Sequence, residues 1–256
     1  MRSLEEFGVY SSGAEALQHD DANTTTPEQF FDQSQSLLGR LALVTMEDIV
    51  PNLRDHYGRW HPSGFMVYPL GTHKELGTLR LHMWPKGHRQ REMKGHGELP
   101  DDICDGDIHN HAWHISSVVL DGVYTDSMYD VKKVGALNDG VYDEAEVARR
   151  SLWNVFQVQY RQGDQPEGLY ASGDVVDAAV RDMRQFGRED FHIIPAGPFH
   201  APTIPEEVKS ATLVFNSKRV FKGGPDILIS GSASPVIGNR LDVTEDEAKL
   251  VEEQFS

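Results

Sequence analysis

The sequence predicts an all-β fold, a sandwich or barrel with helical extensions at both ends. Three observations point there. Short apolar runs with strand-like alternation recur between Phe65 and Ile229. Gly and Pro turns separate them, which suits antiparallel strands better than a parallel sheet wrapped in helices. Clear helix-start signals stand near the two ends, at Thr26 and Thr244. The expected division is an N-terminal tail and helical extension over 1–64, a barrel over 65–230 and a C-terminal helical extension over 231–256.

Residues 1–26 have no periodic pattern and are expected to form a loose tail. A helix then begins with Thr26 as N-cap, Pro27 at N1 and Gln29 closing a capping box. Phe30, Phe31, Leu37, Leu38 and Leu41 recur at helical spacing and should dock on the barrel wall. A second short helix is expected from Thr45, bending or stopping near Pro51. Strands follow at Phe65–Tyr68 and Thr78–Trp84. In the latter, Leu79, Leu81 and Met83 share one face, and Arg80, His82 and Trp84 the other. That second face suits a cavity lining and a solvated surface equally.

Pro85 to Gly106 is a long polar loop, read as a lid. It runs into Asp107-Ile108-His109-Asn110-His111-Ala112-Trp113-His114, then the apolar strand Ile115–Leu120 and an expected turn at Asp121-Gly122. Further strands are expected at Val123–Tyr129, Trp153–Tyr160, Phe191–Ile194, Ser210–Phe215 and Asp226–Ile229, with a short helix over Glu144–Arg150. Val175–Phe186 fits helix and strand about equally. The C-terminal helix should be capped by Thr244 with Glu247 and bury Leu250, Val251 and Phe255.

Composition narrows the function. Twenty-four Lys and Arg against 40 Asp and Glu give a formal charge of −16, which disfavours nucleic acid and anionic lipid as partners. No apolar run approaches the roughly 18 residues of a membrane span, and no secretory leader is recognisable. Cys104 is the only cysteine, so no intrachain disulfide is possible and a cytoplasmic location is the default expectation.

The chemistry is expected at the histidines. Two histidines one residue apart on a strand point to the same side, so His109 and His111 can reach one metal ion. Among twelve histidines roughly one such pair is expected by accident, so context has to decide. That context is Pro195-Ala196-Gly197-Pro198-Phe199-His200, some way downstream. Together the two segments resemble the motifs of the cupin superfamily. Gly106, His109, His111 and Gly122 match the first motif, and Gly187, Pro195, Gly197 and His200 the second. The glutamate common in the first motif would fall at Ile115 or Ser116, and the asparagine after the second-motif histidine at Ile204. What remains is similar to the three-histidine, cysteine-dioxygenase-like branch of thiol dioxygenases, although that branch's tyrosine–histidine pair is not recognisable around Leu213–Ser217.

The resemblance implies a double-stranded β-helix barrel, jelly-roll-like, with His109, His111 and His200 as metal ligands. It implies iron(II) and O₂ acting on a small polar or anionic substrate, and a homodimer by analogy. Imidazole ligands alone equally admit zinc, nickel, manganese or copper. A non-oxidative isomerase, lyase or hydrolase, and a non-catalytic binding protein, remain alternatives. Arg80 is expected to orient an anionic group. Trp113 shares the ligands' parity and should line the cavity, whereas His114 turns inward only through a β-bulge. His192 is expected to face away from the metal.

Overall fold

The computed structural model describes residues 4–10, 26–89, 92–94, 97–98, 108–138, 140–159, 168–230, 236–237 and 239–256. Most of the expected lid loop, including Gly106, lies outside them. The chain is built mainly from antiparallel strands. These are β1 (Val9–Tyr10), β2 (Arg59–His61), β3 (Phe65–His73), β4 (Gly77–Trp84), β5 (Glu92–Lys94), β6 (Gly97–Glu98) and the long β7 (Ile115–Ala136). There follow β8 (Trp153–Gln159), β9 (Gly168–Gly187), β10 (Phe191–Ile194), β11 (Phe199–Thr203), β12 (Ser210–Asn216), β13 (Asp226–Ile229), β14 (Val236–Ile237) and β15 (Asn239–Arg240). Among the described residues three α-helices accompany them: α1 (Pro27–Val44), α2 (Glu144–Arg149) and α3 (Glu245–Phe255).

The strands join in the order β1-β3-β4-β12-β7-β9-β8-β13, with β10 and β11 also paired to β7. Strand β7 organises this arrangement because its two halves have different partners. Residues Ile115–Val118 pair with β10 and with β12, whereas Val123–Ala136 pair with β9 and Thr125–Tyr129 with β11. The turn expected at Asp121-Gly122 does not form. The strand passes through it, with Gly122 at φ +73°, and the register against β12 shifts between Ala211 and Thr212. A Cβ at Gly122 would stand 2.1 Å from the Lys209 carbonyl oxygen. Only glycine fits where the strand bends this sharply toward its next partners.

Helix α1 starts as its sequence requires. Thr26 caps Gln29, Gln29 returns the bond, and Phe30, Leu37, Leu38 and Leu41 are buried. The chain does not break at Thr45. That hydroxyl is buried and donates to the Leu41 carbonyl at 2.9 Å, and the helix continues as a π turn over Thr45–Ile49 and a 3-10 turn over Val50–Asp55. Asn52, just after Pro51, is where the backbone leaves helical geometry. Residues 168–187 are wholly extended. Hydrogen bonding to β7 on one side and β8 on the other decides what periodicity left open.

One apolar core unites the ends of the chain with the sheet. Leu37, Leu38 and Leu41 of α1 and Val251 and Phe255 of α3 share it with Leu79, Leu81, Leu213 and Phe215. Val9 belongs to it too, and β1 pairs with β3 through Tyr10 and Thr72, so this part of the expected loose tail is ordered. On α3, Leu250 is 38 % exposed, whereas Glu252 is buried and its carboxylate meets Arg54 at 2.9 Å. Among the described residues, no helix is long and apolar enough to cross a membrane.

Candidate metal centre

The segment that carries His109 and His111 is not a regular strand, which begins only at Ile115. It is held extended by partners far along the chain. His109 and His200 exchange backbone hydrogen bonds at 2.9 and 2.8 Å, so the two histidine segments lie side by side. Asn110 clasps Asp226, accepting from its N–H at 2.8 Å and donating to its carboxylate at 3.2 Å. The Gly197 N–H, in a loop that the glycine's φ of +103° permits, donates to the His111 carbonyl at 2.9 Å.

The result is the expected convergence. Ligand nitrogens of His109, His111 and His200 all lie within 4.8 Å of one another. The Nε2 atoms of His111 and His200 are 3.0 Å apart. Two imidazole nitrogens bound at about 2.1 Å to one ion, at right angles to each other, are separated by about 3.0 Å. Burial and the neighbouring imidazoles of His109 and His200 hold His111 well below the ordinary histidine range. It is therefore neutral, the form that ligates a metal.

The second nitrogen of His200 shows what the site expects. Nδ1 donates to Asp126 Oδ1 at 2.8 Å, leaving Nε2 bare and aimed at His111. Asp126 is 2 % exposed, and its ion-pair partners are His200 and His192, the latter with Nε2 3.3 Å from Oδ2. Burial pushes its carboxyl up, but the facing imidazole of His192 and the hydrogen bond from His200 outweigh this and hold it below the usual carboxylate range. A buried carboxylate without a lysine or arginine partner needs positive charge close by. A cation bound on the far side of His200 would supply it, and the carboxylate–histidine pairing is the usual outer support of a metal-bound imidazole. The donor set therefore fits a divalent metal.

The histidines open onto a cavity of about 310 Å³. Arg80, His82 and Trp84 of β4 line it, so their face is the cavity face and not a solvated one. Trp113 lines it as well, with its ring 5.5 Å from that of His111. His114 does not. It packs outward against Phe30 and Phe31 of α1, at 5.6 Å from the Phe31 ring, and its Nδ1 accepts from the Ala196 N–H at 3.0 Å. The bulge that would have turned it inward is absent from this segment, and its role is to seat the helix.

His192 corrects the reading in the other direction. It lines the cavity, and its Nδ1 is 2.7 Å from the Tyr124 hydroxyl. On β10 the apolar Phe191 and Ile193 are 38 % and 42 % exposed while His192 is buried, an inversion of the ordinary preference. Sequence reasoning also passed over Tyr124 and Asp126. The available signal was a carboxylate two residues from a tyrosine, on the same side of a predicted strand.

Further histidines flank the site. Burial, with Arg80 and Arg240, brings His82 down to about 3, and burial also holds His61 well below its ordinary value. The cavity is thus walled in large part by imidazoles, guanidinium groups and aromatic rings. Asp126 is the one carboxylate among the described lining residues. No protein-family model matches this chain, and no curated protein matches it.

Proposed function

We propose that the protein is a metal-dependent oxygenase of the cupin type, in which His109, His111 and His200 hold one iron(II) ion and a small anionic substrate is oxidised with O₂. The observation that supports it most is the three-imidazole cluster backed by the buried Asp126 carboxylate and opening on the cavity. Bound iron(II) would supply a Lewis-acidic centre with open positions for a chelating anion and O₂ together.

The chain's own groups would do the rest. Arg80, on the cavity face of β4, presents a guanidinium suited to a carboxylate. Trp113 and Trp84 give the substrate's apolar part a wall and exclude water, which matters while reactive oxygen is present. Asp126 keeps His200 in the tautomer whose Nε2 is bare.

Protein purified without oxygen should contain close to one iron per chain, and small carboxylates should stimulate oxygen uptake. Zinc at full occupancy with no oxygen uptake across such a panel would overturn the oxidative reading in favour of a hydrolase or lyase. Arg80→Ala should raise the apparent substrate constant with little change in kcat, and an unchanged constant would place Arg80 outside substrate recognition.

A further inference from the structure

We propose that Tyr124, His192 and Asp126 form a proton relay whose cavity end is the Tyr124 hydroxyl. A substrate group bound at the three-histidine site gives its proton to the Tyr124 oxygen, the tyrosine's own proton passes to His192 Nδ1, and Asp126 holds the imidazolium so formed. The proposal rests on the reading of the cavity as a metal site. It assigns the proton chemistry to residues that are not ligands.

Hydrogen-bond direction follows from the carboxylate end. Ionised Asp126 can only accept, so His200 Nδ1 donates to Oδ1 at 2.8 Å, while His192 Nε2 stands 3.3 Å from Oδ2, which no hydrogen bond satisfies, and the carboxylate's charge favours the proton on that nitrogen. With its proton on Nε2, neutral His192 has a bare Nδ1. That nitrogen accepts from the Tyr124 hydroxyl at 2.7 Å. The order hydroxyl, imidazole, carboxylate is the one in which a hydroxyl proton is taken up by histidine while an acid that stays ionised stabilises the charge. The Ser117 hydroxyl donates to the His192 carbonyl at 3.3 Å and so helps to hold that residue in place.

Packing alone does not account for this trio. Tyr124 and Asp126 share one face of β7, and His192 reaches them from the neighbouring β10. All three are buried, beside the Phe186 ring, which lies 4.2 Å from that of His192 and 5.3 Å from that of Tyr124. Apolar side chains would fill that volume without burying a carboxylate. Tyr124 and His192 nevertheless both line the cavity that holds the three histidines. The step balances: one substrate X–H bond breaks and a tyrosine O–H forms, the former tyrosine O–H breaks and a His192 Nδ1–H forms, and Asp126 is unchanged.

The test uses the zinc-loaded, ¹⁵N-histidine-labelled full chain and acetohydroxamic acid, a probe that loses one proton when its two oxygens chelate a metal. The His192 resonances are assigned from His192→Gln. On probe binding, His192 of the wild type should change from one ring proton to two. In Tyr124→Phe, which keeps the ring and loses only the hydroxyl, the zinc and probe should still bind while His192 keeps a single proton. A wild-type His192 that stays singly protonated with the probe bound overturns the relay, and so does equal protonation in Tyr124→Phe. Failure of the wild type to take up zinc overturns the metal site itself, a distinct result.

Discussion

The two faces of strand β4 do opposite work one residue apart. Leu79, Leu81 and Met83 are completely buried in the apolar core beneath α1 and α3. Arg80, His82 and Trp84 line the cavity. Strand β12 behaves alike, with Ala211, Leu213 and Phe215 in the core and Thr212, Val214 and Asn216 on the cavity. The same backbone ladder therefore serves packing on one side and lines the cavity on the other, because successive side chains leave a strand on opposite sides. The core face needs only volume and apolarity. The cavity face needs particular atoms at particular distances, and it keeps polar groups buried at a cost in stability.

Perturbing each face separately sharpens the contrast. The largest effect is expected from His111→Ala, which removes a ligand outright: bound metal and activity should disappear together while the far-ultraviolet circular dichroism is kept. Retention of stoichiometric metal would overturn the assignment. Leu81→Ala, on the opposite face, should cost about 2–5 kcal/mol in urea unfolding through the cavity it leaves. The folded fraction of that variant should still bind metal, and a selective loss of metal would mean that the two faces are not independent.

Asp126→Asn should weaken metal binding about 10–100-fold by removing the charge behind His200, measured by cobalt(II) titration of the metal-free protein. An unchanged affinity would reduce Asp126 to a packing residue. Acid separates the faces further. His82 is held down to about 3 by burial and by Arg80 and Arg240, so the folded metal-free protein binds fewer protons there than the unfolded chain. The stability this withholds is fully present above the unfolded value near 6.5 and is lost as pH falls from there toward 3. Between pH 7 and 5 the unfolding free energy from urea titration should drop, by up to about 1.4 kcal/mol per pH unit for a single group, and His82→Gln should flatten that slope. Smallest is Thr26→Ala, which deletes the α1 cap. It should cost about 1 kcal/mol and leave metal affinity alone.

Reading the chain was most successful where the signal was local. The capping boxes of α1 and α3, the alternation of β4 and the apolar strands at Ser210–Phe215 and Asp226–Ile229 all rest on neighbouring residues, and the structure bears them out. Reading failed where distant partners decide. Gly122 looked like the end of a strand, yet β12 on one side and β9 on the other carry the chain through it. His192 was expected to face away from the metal, because nothing in Phe191–Ile194 shows that Asp126 waits across the sheet to receive its ring. His114 went the other way, taken up by α1.

By itself the sequence determined which residues are capable of holding a metal and which strands have a polar side, since ligand chemistry and two-residue alternation are properties of the local chain. Tertiary structure alone decided which polar side is enclosed, and that Tyr124, Asp126 and His192 stand behind His200. Those pairings join positions as much as 74 residues apart. They depend on strand register and on the bend at Gly122, which arise only when the whole sheet is assembled.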